Sequence, residues 1–217
     1  MPPLIVGSPL WLAASNCYVV AAERGGPAVV VDAPPDVEGI AALLAKIDCY
    51  PAAALITHGH VDHTGGTGSL VRRTGVTAYL HPDDEWLAQD PAAQLRTVFG
   101  ISTNGDELAP PEAFTWLADG DTLDMGGLGW EVIHTPGHTP GHCCFFLPAE
   151  GVLFSGDQLF AGSVGRTDLP GGSWEQLVAS MRDKILVLED DVDVLPGHGP
   201  MTTLGNERAL NPFLQGL

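Results

Sequence analysis

The chain has 217 residues, 45% of them hydrophobic, with a mean hydropathy of +0.14, enough apolar surface for a sizeable core in one domain or two fused halves and too much for a disordered chain. Nine Lys and Arg face 27 Asp and Glu, a formal charge of −18, and no basic run is long enough to follow a phosphate backbone, which argues against nucleic acid and against an anionic membrane surface as partners. No run approaches the roughly 20 apolar residues of a membrane helix, the patch Leu10 to Ala14 has no Lys or Arg ahead of it to make a signal peptide, and Cys17, Cys49, Cys143 and Cys144 show no C-x-x-C spacing, so the expectation is a cytoplasmic protein with reduced, mostly buried thiols.

Asn16 to Val20 and Ala28 to Val31 are short apolar runs separated by Gly25-Gly26-Pro27, which predicts a hairpin of two strands with Asp32 at the end of the second. Asp36 to Ile47 carries Val37, Ile40, Ala41, Leu44 and Ile47 at helical spacing, and Ala52 to Ile56 follows as a buried strand. Gly66 to Arg73 suits a short helix, Val76 to Leu80 a strand, and Pro82 to Leu87 a helix opening on proline. Residues 88 to 112, with Pro91, Gly100, Asn104-Gly105 and Pro110-Pro111, form the least regular stretch and read as an insertion near the mouth of a site.

Strands resume at Gly129 to Thr135, His142 to Leu147 and Val152 to Ser155. Ser173 to Leu188 predicts a helix with Ser173 as N-cap, Gln176 at its third position, and Trp174, Leu177, Val178, Met181, Ile185 and Leu188 on one core-facing stripe. Val192 to Leu195 is the last predicted strand. Both halves alternate strands with helices, an α/β pattern, and place polar clusters just past strand ends, where open α/β sheets bind ligands.

The densest cluster is Thr57-His58-Gly59-His60-Val61-Asp62-His63, followed by Thr64-Gly65-Gly66. Imidazole nitrogen and carboxylate oxygen suit Zn²⁺, Fe²⁺ or Mn²⁺, and without thiolate this is not a zinc-finger type of structural site. In an extended segment residues two apart point the same way, so His58 and His60 can hold one ion while the following turn aims Asp62 and His63 at a second. Further ligand candidates sit in Gly- or Pro-rich turns after strands: His138 in Thr135 to His142, Asp157 in Ser155-Gly156-Asp157, and His198 in Pro196-Gly197-His198-Gly199-Pro200.

His58, His60, Asp62, His63, His138, Asp157 and His198, in this order and these contexts, resemble the metallo-β-lactamase superfamily. Thr57 to Pro212 is similar to the glyoxalase II (hydroxyacylglutathione hydrolase) group, and to its short bacterial members in particular, on the strength of Thr135 to His142, Gly156 to Gly162, Gly165-Arg166-Thr167-Asp168 and Pro196 to Pro200. The resemblance implies a four-layer αββα sandwich spanning residues 1 to 217, with two similar halves meeting near residues 110 to 120. It implies two divalent ions, zinc foremost with iron or manganese as options: His58, His60 and His138 on the first, Asp62, His63 and His198 on the second, and Asp157 bridging. Asp32 matches an acidic residue that orients ligands from behind without binding metal.

The remaining candidates have plainer readings. His81 and His134 are expected as surface or hydrogen-bonded histidines, His142 as structural more than functional, and Gly65, Gly66 and Gly137 as backbone-geometry residues. Arg166, a cation in a Gly-rich loop, would hold a substrate carboxylate, or else pair with Asp168.

The function expected from the resemblance is hydrolysis of a small 2-hydroxyacyl thioester of the S-lactoylglutathione kind by a hydroxide bridging two metals, with Asp62 and Asp157 positioning metal and nucleophile. Two departures bear on the thiol carrier: the chain stops soon after Asn211-Pro212-Phe213, without the C-terminal helical domain of long glyoxalase II members, and Arg166-Thr167-Asp168 replaces their Lys and Tyr. The competing readings are an iron-dependent persulfide dioxygenase, whose single iron would use His58, His138 and Asp157, and a lactonase-type or β-lactamase metallohydrolase. An electron carrier of the flavodiiron type is disfavoured by His60, and a metal-free binding module by the intact ligand set.

Overall fold

The computed structural model describes residues 2–102 and 108–217. Strands β1 (Leu4–Leu10), β2 (Ser15–Ala21), β3 (Pro27–Val31), β4 (Tyr50–Leu55), β5 (Thr77–Leu80) and β6 (Thr115–Trp116) form one sheet in sequential order, antiparallel through β3 and parallel from β3 onward. Strands β7 (Thr122–Met125), β8 (Leu128–His134), β9 (Cys143–Leu147), β10 (Val152–Gly156), β13 (Asp193–Pro196) and β14 (Thr202–Thr203) form the other, a meander whose last strand, β10, runs parallel to β13. A two-stranded hairpin, β11 (Leu159–Phe160) and β12 (Ser163–Val164), follows β10.

Period-two alternation sorts the side chains into layers. Val20, Val29, Val31 and Leu55 of the first sheet meet Trp130, Val132, Phe145 and Phe154 of the second between the sheets. The opposite faces take helices: Val19, Val30 and Ala54 pack under Ile40 and Leu44 of α1 (Val37–Lys46) and Leu70 of α3 (Thr67–Thr74). Ile133, Phe146 and Leu153 pack under Leu177 of α6 (Trp174–Ser180), Met181, Ile185, and Leu204 of α7 (Leu204–Leu210). The result is the αββα sandwich expected above, with each fully buried large apolar side chain contributing about 1.5–3 kcal/mol.

Several elements depart from their sequence reading. β1 carries no strand prediction because Gly7-Ser8-Pro9 interrupts its pattern, yet as an edge strand it tolerates proline and pairs in register with β2 from Leu4 opposite Ala21. The helix predicted from Ser173 starts as expected, Gln176 N donating to Ser173 Oγ at 3.3 Å, but after Ser180 it widens into a π-turn over Met181–Ile185. Trp174 is not core: it is 49% exposed and sits edge-on to Phe213. Within the stretch expected to be irregular, α4 (Glu85–Ala88) ends at its start, α5 (Pro91–Gln94) is capped by Asp90, and Leu95–Phe99 forms a second π-turn. Asn104-Gly105 falls outside the described residues. Helix α7 was unexpected, its polar residues hiding a buried face of Leu204 and Glu207.

The candidate ligands lie past the carboxyl ends of strands, His58 to His63 after β4, His138 after β8, Asp157 after β10 and His198 after β13, and Asp32, expected to orient them, follows β3. No helix among the described residues is long and apolar enough to cross a membrane.

Candidate metal centre

The loop after β4 carries His58 and His60, and a single helical turn, α2 (Val61–Thr64), follows with the extended His60 as its N-cap. That change of conformation brings Asp62 and His63 to His198, at 3.3 and 3.2 Å, while the His63 ring stays 4.2 Å from that of His58 by ring centroid. The turn after β8 delivers His138. It depends on Gly137 at φ +143, where a Cβ would run into the backbone of Leu177. In the turn after β13, Gly197 lets the backbone approach Asp157, whose Oδ1 would collide with a Cβ there.

The seven expected ligands converge. One ligand atom each from His58, His60 and His138 lies within 4.8 Å of the others, and the same holds for Asp62, His63 and His198 and for His58, His63 and Asp157. His60 Nδ1 is 2.9 Å from His138 Nε2, and His63 Nε2 is 3.2 Å from His198 Nε2 and 3.4 Å from Asp62 Oδ2. Asp157 faces both groups, with Oδ1 at 3.4 Å from His63 Nε2 and Oδ2 at 3.5 Å from His138 Nε2 and 3.7 Å from His198 Nε2. Donors around a tetrahedral ion with bonds of about 2.0–2.1 Å lie about 3.3–3.4 Å apart, so these spacings fit metal ions. Two buried atoms, His58 Nε2 and Asp157 Oδ1, have no hydrogen-bond partner, a costly arrangement that a cation resolves.

Ring orientations follow from the atoms behind them. His63 Nδ1 donates to Asp32 Oδ2 at 2.8 Å and His138 Nδ1 to the Arg166 carbonyl at 2.7 Å. Thr57 Oγ1 donates to the Asp32 carboxylate and therefore accepts from His58 Nδ1 at 3.0 Å. His58 and His138 thus present an unprotonated Nε2 to the centre, and His63 turns its Nε2 the same way. His142 is buried behind Asp157: its Nε2 accepts from Asp157 N at 3.0 Å, and its Nδ1 donates to Thr135 Oγ1 at 2.8 Å.

Electrostatics divides the cluster. Burial, reinforced by neighbouring imidazoles, pushes His58 well below the usual histidine range and His60 to about 3. Burial likewise takes His138 to about 4, against the Arg166 carbonyl. Burial also opposes a charge on His63, but Asp62, Asp157 and Asp32 outweigh it and raise that imidazole well above the usual range. Burial also opposes a charge on His198, but Asp62 and Asp157 together outweigh it and raise that imidazole. Asp62, though buried, is held well below the carboxylate range by His63 and His198, whereas burial leaves Asp157 raised.

Four residues that secure the centre have no motif to announce them. Ser15 donates to Asp62 Oδ2 at 2.9 Å. Asn16 Nδ2 donates to the Pro196 and Gly199 carbonyls, both at 2.9 Å, pinning the His198 turn. Gln94 accepts from Val61 N at 2.9 Å and donates to the Gly59 carbonyl at 3.1 Å, clamping the backbone on either side of His60. Asp84 binds the loops of both halves. A polar residue inside an apolar strand, as Asn16 is, was the available signal; Asp84 and Gln94 look like ordinary helix-start and helix-surface residues.

A cavity of about 400 Å³ opens onto the ligands, its walls made by Val98, Phe99, Phe160, Val164 and Leu169. Arg166 lines it too, but its side chain is 58% exposed and its guanidinium makes a two-pronged pair with Asp168 at 2.6 and 2.8 Å. His81 and His134 stack in parallel 4.0 Å apart, so their in-plane lone pairs do not converge on one ion. All four cysteines are free thiols, Cys17, Cys143 and Cys144 buried.

A family model described as the metallo-beta-lactamase superfamily matches residues 10–198. Hydroxyacylglutathione hydrolase GloC of Haemophilus influenzae is 36% identical over 200 residues, 92% of each chain. Among solved structures, BLEG-1 B3 metallo-beta-lactamase has a TM-score of 0.87 at 36% identity, covering 98% of this chain and 100% of that one. TTHA1623 in a di-iron-bound form has a TM-score of 0.84 at 38% identity, covering 99% and 100%, and ETHE1 from Myxococcus xanthus 0.73 at 26%, covering 96% and 83%. With its αββα layers, its His and Asp ligands at the strand ends and a family match across most of its length, the chain belongs to the metallo-beta-lactamase superfamily.

Proposed function

We propose that this protein is a binuclear metal-dependent hydrolase of 2-hydroxyacyl thioesters, similar in activity to hydroxyacylglutathione hydrolase. The observation that carries the reading is Asp157, whose two oxygens face His63 on one side and His138 and His198 on the other. His58, His60 and His138 would hold one ion, Asp62, His63 and His198 the second, and Asp157 both. Zinc suits these donors, as do iron and manganese. When bound, such ions supply Lewis acidity and a water acidic enough to attack a carbonyl at neutral pH.

The chain's own residues constrain the leaving group. Among the described residues lining the cavity outside the ligand set, none offers a free proton: Gln94 is committed to backbone, Arg166 to Asp168, and the rest are apolar. A thiolate leaves as an anion without a strong general acid, whereas the amine of a cleaved lactam needs one. Arg166 stands at the rim, where exchange of Asp168 for a substrate carboxylate would orient the acyl or thiol half. The similarity of the chain to hydroxyacylglutathione hydrolase GloC over most of its length supports this reading.

A second reading, iron-dependent persulfide oxidation, is favoured by Gly165-Arg166-Thr167-Asp168 and by the likeness to ETHE1. Paired assays on metal-analysed protein separate the two: thiol release from S-lactoylglutathione is expected, and oxygen uptake with glutathione persulfide in the absence of thioester cleavage sinks the hydrolase.

A further inference from the structure

We propose that Asp84 is a positioning residue for His58, His60 and His138, its carboxylate fixing the separation of the two loops that carry them. The inference rests on the reading of that trio as a metal-binding set. Asp84 closes the 3₁₀ turn Pro82–Asp84 and is fully buried. Its Oδ2 accepts from Gly59 N at 2.8 Å and from Thr139 Oγ1 at 2.6 Å, and its Oδ1 from Gly141 N at 2.6 Å. Gly59 lies between His58 and His60, and Thr139 follows His138 directly. One short, rigid group is therefore bonded to both loops at once.

The two glycines show how closely the loops press on it. A Cβ on Gly59 would stand 2.7 Å from the Asp84 carbonyl oxygen, and one on Gly141 would stand 2.7 Å from Asp84 N and 2.8 Å from its Cγ. Neither glycine has a positive φ, so close approach to Asp84, joined at Gly59 by Leu87, and not backbone conformation, accounts for a residue without a side chain in His-Gly-His and in Pro-Gly-His. The donors explain the carboxylate. Three N–H or O–H groups converge on two oxygens, and an acceptor-only side chain satisfies all of them. An asparagine would turn an NH₂ toward at least one donor, leaving a buried group unpaired. The three bonds all run to the loops of this trio and none to the turn bearing His198.

Asp84→Asn tests the brace by zinc titration of the metal-free protein. The ion held by His58, His60 and His138 is expected to bind about 10–100-fold more weakly, while the ion held by Asp62, His63 and His198 stays within about twofold of wild type. The loss should persist when His198→Ala is added and disappear when His58→Ala is added. Thr139→Val, which deletes one of the three bonds, gives a smaller loss at the same ion and decides the matter if Asp84→Asn does not fold. Unchanged binding of both ions, or equal weakening of both, overturns the proposal. Thiol release plays no part in this test, so failure of the thioester reading would show separately.

Discussion

His58, His60 and His138 lie beside Asp62, His63 and His198 around the same carboxylate, yet the two trios rest in opposite charge states. The first holds no carboxylate of its own, and three buried imidazoles 4.7–4.9 Å apart by ring centroid suppress one another's protonation. The second contains Asp62, leans on Asp32, and keeps His198 with 30% of its side chain exposed, so His63 and His198 favour the proton. The first trio therefore waits with its lone pairs free, whereas the second must release protons to take a cation.

The largest expected effect that probes this contrast is the acid sensitivity of the metal-free protein. His60 and His138 titrate at about 3 and about 4 in the fold, and His58 and His142 are also lowered, against an unfolded value near 6.5. Below pH 6.5 the unfolded chain binds protons that these four imidazoles refuse, so stability falls with pH until their folded values are reached. His60 and His138, at about 3 and about 4 in the fold, each cost about 2 kcal/mol at pH 5, and His58 and His142 act in the same direction. The raised pair, His63 and His198, acts with the opposite sign: its contribution is complete below 6.5 and lost as pH rises through its folded values. Metal-free protein should lose roughly 10–20 °C of melting temperature between pH 7 and 5, less in His58→Ala and no less in His198→Ala. A flat profile would mean that the first trio protonates in place and that the contrast is absent.

An intermediate effect is expected from His198→Ala, which should deplete one ion of two and lower kcat about 10- to 100-fold. Unchanged activity at one metal per chain would collapse the two trios into a single mononuclear centre. The smallest effect concerns the rim. Arg166→Ala should raise KM about threefold for carboxylate-bearing thioesters and leave uncharged ones alone, consistent with an exposed charge pair being worth at most about 1 kcal/mol; equal KM for both substrates would leave Arg166 as a partner of Asp168 alone.

Legibility followed sequence distance. His58, His60, Asp62 and His63 could be read because their geometry is local: an extended segment and one helical turn decide where each side chain points. Their partners His138, Asp157 and His198 were readable as polar residues in Gly-rich turns past strands. Ser15, Asn16, Asp84 and Gln94 were not. Each acts across the fold, Asn16 on Pro196 at a separation of 180 residues and Asp84 on Gly141 at 57, and, apart from the polar side chain of Asn16 in an apolar strand, nothing beside them in the chain distinguishes them from strand and helix residues of the same type. The edge strand β1 and the helix α7 escaped for a related reason, their partners and not their patterns making them regular.

By itself the sequence determined the alternation of strands and helices and the candidate donors, because alternating and helical periodicities choose buried faces and because only a few side chains bind divalent ions, while the four layers were implied by the family resemblance. Tertiary structure decided the charge state of each donor, the pairing of Arg166 with Asp168 and the brace at Asp84. Those depend on burial and on contacts between segments far apart in the chain, and His58 to His63, so uniform as a string, is shared between two trios of opposite proton preference only when the second sheet brings His138 and His198 to it.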